Sequence, residues 1–163
     1  MKHTVTGMAL AGALAFPAMA NGVISSKNLS LELADKLASQ TIAACSAKGY
    51  QISVTILDRA GTPLIMKKMD NAGPHTVKAS RMKAYTALST KNASENVMKS
   101  AQSNAAAENL RSIPGFLLLA GGVPVKAGND TIGAIGVGGA PGGHIDQQCA
   151  VDALAASAAA LKA

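Results

Sequence analysis

The spacing of apolar positions changes several times along the chain, and each change marks an element. Leu33, Leu37, Thr41 and Ala44 recur at helical spacing behind Ser30, a good N-cap with Glu32 and Asp35 in or near the first turn. Lys48 and Gly49 supply a cation and a terminating glycine, which predicts the end of that helix. Ile52, Val54 and Ile56 then alternate with Ser53, Thr55 and Leu57, the period of a strand rich in β-branched residues. Asp58 to Gly61 is turn chemistry, and Leu64 to Met69 reads as the return strand.

The next stretch, Asp70 to Leu88, passes through a Gly-Pro turn into a second helix that runs to about Thr90. Pro74 suits the first helical position, where its missing N–H has no intrahelical partner and its φ is already helical. His75 falls in the first turn, and the positive end of the helix dipole biases its ring toward the neutral form that a metal needs. Val77, Arg81, Ala84, Tyr85 and Leu88 share one face, so Arg81 either snorkels past the core edge or holds an acidic group.

Asn92 with Glu95 resembles a capping box and opens a more polar helix, weakly specified from Ser100 to Ala107. Pro114-Gly115 breaks the chain, and three short strands are predicted: Phe116 to Leu119, Val123 to Lys126, and Thr131 to Gly138. An alanine-rich closing helix follows from Ile145. The order α-β-β-α-α-β-β-β-α, with tight turns between successive strands, predicts one α/β (α+β) domain. Its core is a five-stranded, mainly antiparallel sheet packed with helices.

Residues 1–20 stand apart. Lys2 and His3, an apolar run from Val5 to Phe16, and Ala18-Met19-Ala20 have the three parts of a secretory signal peptide. The expectation is a mature domain spanning residues 21–163 in the periplasm or secreted. No later segment is long and apolar enough to be expected to span a membrane. The net charge of +6 falls only to +5 when Lys2 is removed with the leader, and the basic residues are scattered. With Tyr50, Tyr85 and Phe116 as its only aromatics, the mature chain lacks the stacking platforms of a nucleic-acid module. A basic surface of this kind attracts small anionic ligands. Cys45 and Cys149, which match no zinc spacing, are expected to form a disulfide in an oxidising compartment. They fall near the end of the first helix and the start of the last, which meet if those helices pack antiparallel.

Candidate chemistry is sparse. The Gly136–Gly143 run, GVGGAPGG, matches neither a dinucleotide fingerprint nor a phosphate loop. It reads equally as a structural turn or as an anion cradle at a helix start. His144 reads first as a surface residue, with a second donor to a ligand as the alternative, and Asp58, Asp70 and Asp146 are scattered acids. No nucleophile has a base partner in the sequence, so no conventional enzyme is expected.

The segments GYQISVTILDRAGTPL, MDNAGPHTVKASRMKAYTAL and IPGFLLLAGG with VPVKAGNDTIGAIGVGGAPGGHIDQQCA resemble the GlcG/HbpS family of haem-binding-related proteins. The likeness runs from about Leu29 to Leu161 and is most specific at Lys83 to Ala87 and at GAIGVGGAPGG. The resemblance implies a profilin-like or sensor-like domain, homo-oligomers, and haem handling or redox sensing in exported members. It implies His75 as the haem axial ligand and the candidate metal ligand. Propionates would meet Lys78, Arg81 and Lys83, with Gly138, Gly139, Gly142 and Gly143 closing over the ring edge. The stretch after Gly73, PHTVKASRMK, contains no glutamate, so the acidic iron-binding pattern of one secreted branch is not evident here. The second reading is a small enzyme or binding module for a 2-hydroxy or 2-oxo acid, held by Arg81 and the glycine loop. Mass spectrometry of the protein from its native host's envelope tests the leader: the expected N-terminus is at or near Asn21, and an intact Met1 refutes it.

Overall fold

Ser30 caps the first helix: its Oγ accepts from the Leu33 N–H at 3.2 Å, and α1 (Leu31–Ser46) follows. Gly49, at φ +79, closes the C-terminal turn by donating to the Ser46 carbonyl. The structure, a computed structural model, describes residues 22–162; the predicted leader lies outside the described residues. Beyond α1 come β1 (Ser53–Asp58), β2 (Pro63–Lys68), α2 (His75–Thr90) and α3 (Ser94–Ser103). A 3₁₀ stretch over Ala105–Ser112 leads to β3 (Gly122–Ala127), β4 (Asp130–Gly138) and α4 (Gly143–Ala156).

The strands form one antiparallel sheet of four, in the order β2-β1-β4-β3. The central pair runs in unbroken register from Ser53 opposite Gly138 to Asp58 opposite Gly133. Helices cover both faces. On one, Leu37 and Cys45 of α1 and Cys149 and Ala150 of α4 pack on Val54, Ile56, Ile135 and Val137. On the other lies α2, which buries Thr76, Ser80, Lys83, Ala84, Thr86 and Ala87. The polar positions of β1 therefore face a helix and not water. Ser53 and Thr76 share a hydrogen bond of 2.7 Å between hydroxyls, and Thr55 and Ser80 one of 2.8 Å.

Small residues let α2 sit close to the sheet. A side chain at Gly136 would overlap the Ser80 carbonyl and Ala84, and one at Gly122 would overlap the Lys83 carbonyl. This rotates the face expected for α2: Arg81 and Tyr85 are exposed, Val77 and Leu88 are half-buried, and Ala84 alone of that set is fully buried, with Leu88 packed against it.

The sheet has four strands and not the predicted five. Phe116 to Leu119 is apolar enough for a strand, but its backbone is bound by side chains. Leu117 N–H donates to Thr86 Oγ1 at 2.9 Å, and Ser94 Oγ donates to the Leu119 carbonyl at 2.8 Å. Gly115 and Gly121, at φ +86 and +123, turn the chain on either side of it. The expected capping box also differs. α3 begins at Ser94 with Ala93 at its N-cap, while Asn92 Oδ1 accepts from Ala93 N–H and from Asn96 Nδ2.

Cys45 and Cys149 form a disulfide with Cα atoms 5.5 Å apart, and both are fully buried where α1 meets α4. The bridge spans 104 residues. In the chain-entropy view, closing a loop of that size disfavours the unfolded state by up to about 4–5 kcal/mol, and measured effects are usually smaller. Replacing both cysteines by alanine is expected to lower the unfolding free energy by about 2–4 kcal/mol in urea titration. A change below about 0.5 kcal/mol would show that the bridge adds nothing to the packing.

Candidate functional site

Lys83 is the largest fully buried side chain among the described residues, with 2 % of its side-chain surface exposed. Its ammonium donates to Asp146 Oδ2 at 2.8 Å and to the Val137 carbonyl at 2.9 Å. The other carboxylate oxygen of Asp146 accepts from the Ala140 N–H at 3.0 Å. Gly121 makes room for the pair, because a Cβ there would lie 2.9 Å from Lys83 Nζ and 3.0 Å from Asp146 Cβ. One ion pair thus ties the middle of α2 to the end of β4, to the loop that follows, and to the first turn of α4.

Above the pair is a recess of about 230 Å³, bounded by His75, Thr76, Ala79, Gly139, Gly143 and Asp146, with Lys83 in its lining. The starts of α2 and α4 converge on it. Neither helix has a side-chain cap; Thr76 N–H donates to the Gly73 carbonyl, and the Ile145 and Asp146 N–H groups donate to the Gly142 carbonyl. His75 is exposed and folds back over Gly73, where a Cβ would lie 2.9 Å from its Cε1 and 3.0 Å from its Nδ1.

The residues proposed from sequence as one site fall into two neighbouring places. His75, Lys83, Gly138, Gly139 and Gly143 line the recess. Lys78 and Arg81 line a separate groove of about 560 Å³ on the outer side of α2, with Gly61, Met82, Tyr85 and Gly115. Gly142 is the N-cap of α4, and the His144 ring folds back over it. Lys83 is not a free cation for a propionate, because its charge is met by Asp146. Two glycines of the loop are required by backbone packing. A Cβ on Gly139 would overlap the Gln51 carbonyl, and one on Gly143 would sit 2.6 Å from the Ala120 carbonyl. His144 lies in a different hollow, beside Lys48, Glu95 and Gln147. There the Glu95 carboxyl is held below its usual range, first by a hydrogen bond from Lys99 and then by Gln147 Nε2 and nearby His144. Asp152 is lowered likewise, by Gln148 and then Lys48.

Sequence reasoning missed Asp146, which it counted among scattered acids. The available signal was on α2: Thr76, Ser80, Lys83 and Ala87 recur at helical spacing as a stripe of small and polar residues. A lysine within such a stripe, once buried, requires an acid from elsewhere in the chain.

An antiparallel sheet between helices, with a glycine-rich loop over a buried ion pair, defines a small α+β class of domain. The chain belongs to the HbpS-like family: the family model described as "Haem degrading protein HbpS-like" matches residues 29–155. The crystal structure of a double mutant of HbpS from Streptomyces reticuli is similar at 36% identity and a TM-score of 0.79, covering 89% of this chain and 97% of that one. A Citrobacter freundii protein, described as an uncharacterized 15.0 kDa protein in the dhaT-dhaS intergenic region, is 30% identical over 102 residues, 59% of this chain and 72% of that protein. A PduOC complex with haem shares the fold at 23% identity and a TM-score of 0.73, covering 79% of this chain and 94% of that one.

Removing one partner of the buried pair strands the other charge. Lys83→Met or Asp146→Leu alone is expected to cost about 3–5 kcal/mol, and the double change clearly less than the sum. Urea unfolding of the three variants beside the parent measures this. Strictly additive losses would show that the two groups do not depend on each other.

Proposed function

We propose that this domain binds haem on the outward face of α2, with His75 as the axial ligand. The observation that carries the reading is the distribution of side chains on that face. His75, Lys78, Met82 and Tyr85 follow one another at helical spacing, with Arg81 flanking them. Lys78 and Arg81 are exposed and have no ion-pair partner among the described residues. Tyr85 is 39% exposed and meets Phe116 edge to face with ring centres 6.0 Å apart. An imidazole, an apolar surface and two free cations match the iron, ring and propionates of a haem. The groove of about 560 Å³ that Lys78, Arg81, Met82 and Tyr85 line lies within the ~300–1,000 Å³ range of pockets for sizeable ligands. His75 lies beyond its lining, at the edge of the recess of about 230 Å³, so a haem held by both would extend from the groove toward the start of α2.

The family's description as haem-degrading and the haem in the PduOC complex support the choice of ligand. Bound haem supplies a redox-active iron; the chain supplies its ligand, the cations for its carboxylates and the apolar seat. The same reading places the domain outside the cytoplasm, in haem handling or redox sensing, where the buried disulfide persists. It also includes self-association, which would cover Ile113 and Leu119, each about two-fifths exposed.

Haemin titration followed at the Soret band tests the assignment. His75→Ala is expected to lose the parent's Soret shift, while His144→Ala keeps it. Arg81→Ala is expected to weaken affinity about tenfold, or about 1.4 kcal/mol, leaving the band position unchanged. If His75→Ala retains the parent's spectrum and affinity, His75 is not the ligand.

A further inference from the structure

We propose that the outer edge of β2 is an interface between two copies of this chain. β2 of one copy pairs antiparallel with β2 of the other about a two-fold axis at Met66, joining two sheets into one. The proposal deepens the self-association in the reading above by naming a surface for it, apart from Ile113 and Leu119.

The two edges of the sheet differ in what they leave unpaired. Val137 N–H donates to the Gly121 carbonyl, so by the alternation of an antiparallel ladder the backbone groups of Gly122 and Pro124 point away from β4. Ser94 Oγ takes the Gly122 N–H at 2.8 Å, and Pro124 has no N–H to offer, so that edge is closed. On the other side, Met69 N–H donates to the Ile52 carbonyl, which fixes the ladder between β2 and β1. Ile65 and Lys67 bond toward β1, and Leu64, Met66 and Lys68 present their backbone groups outward. Those three N–H groups have no partner among the described residues, and Met66, at the centre, is 50% exposed. Lysines commonly guard an open edge. Here Lys67 Nζ is held by Asp35 at 2.7 Å and Ser39 at 2.9 Å, and Lys68 Nζ donates to the Met69 and Asp70 carbonyls of its own chain.

The edge is its own complement, apolar toward Leu64 and with lysine stems toward Lys68. Centred on Met66, an antiparallel pair sets Lys68 of one copy opposite Leu64 of the other, and Lys67 opposite Ile65, so no lysine faces a lysine. Leu64, Met66 and Lys68 then exchange backbone hydrogen bonds across the axis, and the two Met66 side chains cover each other. The contact is isologous, so it closes on itself and does not propagate.

The test uses the full chain. Met66→Cys is expected to give a disulfide-linked dimer on a non-reducing gel, because opposed Cα atoms in such a pair lie about 5.5 Å apart, within disulfide reach. Thr62→Cys, off the axis in the exposed turn before β2, is expected to stay unlinked. Met66→Asp sets two carboxylates against each other across the axis, and Met66→Pro removes the outward N–H without touching a bond to β1. Each is expected to halve the mass of the assembly in sedimentation equilibrium, while Lys126→Asp on the closed edge leaves it unchanged. The dimer is expected whether or not haemin binds, and Met66→Asp is expected to keep the parent's Soret titration, so the two readings fail separately. The proposal is overturned if the parent sediments as a monomer, if a folded Met66→Cys gives no linked dimer, or if a folded Met66→Asp keeps the parent's mass.

Discussion

A lysine that cannot reach water must find its counter-charge within the protein, and Lys83 finds it in Asp146, 63 residues away in the chain. Taking both charges out of water costs several kcal/mol per ion, of order the whole stability of a small domain, unless each is paired and hydrogen-bonded. Here the ammonium has a carbonyl as well as the carboxylate, and the carboxylate has a backbone N–H as well as the ammonium. Such an arrangement tolerates little displacement. It fixes the axial position of α2 against β4, the path of the loop after Gly138, and the point at which α4 begins. The recess takes its walls and floor from those same groups.

The close approach of α2 follows from the same geometry. Lys83 reaches the Val137 carbonyl because Gly136, Gly122 and Gly121 leave no side chains between helix and sheet. Thr76 and Ser80 on the buried face then meet the hydroxyls of Ser53 and Thr55. A helix that buries its small and polar residues leaves its long ones outside. Lys78, Arg81, Met82 and Tyr85 accordingly form a cationic and partly apolar outer face, on which the haem reading rests.

Much of this was legible in the sequence, because the signals involved act over a few residues. The Ser30 cap, the Gly49 stop, the alternation of β1, the Gly-Pro entry to α2 and the strand read over Thr131 to Gly138 depend on dihedral preference and local hydrogen bonding. The disulfide was legible for a simpler reason: the chain has two cysteines, near helix ends that pack together. The resemblance seen in three stretches of sequence likewise agreed with the family match over residues 29–155.

What the tertiary structure decided is where distant polar groups satisfy one another. Phe116 to Leu119 has the composition of a strand, but Thr86 and Ser94 bind its backbone before a neighbouring strand can, so the sheet stops at four. Arg81 shares a helical face with apolar residues in sequence, but the close approach that glycines on β3 and β4 allow rotates α2 so that Ala84 stays buried and Arg81 is left outside. Lys83 is one cation among many along the chain until the fold closes water off from it. Hydrophobic period and capping are properties of a segment alone. The face a helix buries, and the partner a buried charge takes, depend on the surface brought against it, so they are settled only when the long-range contacts form.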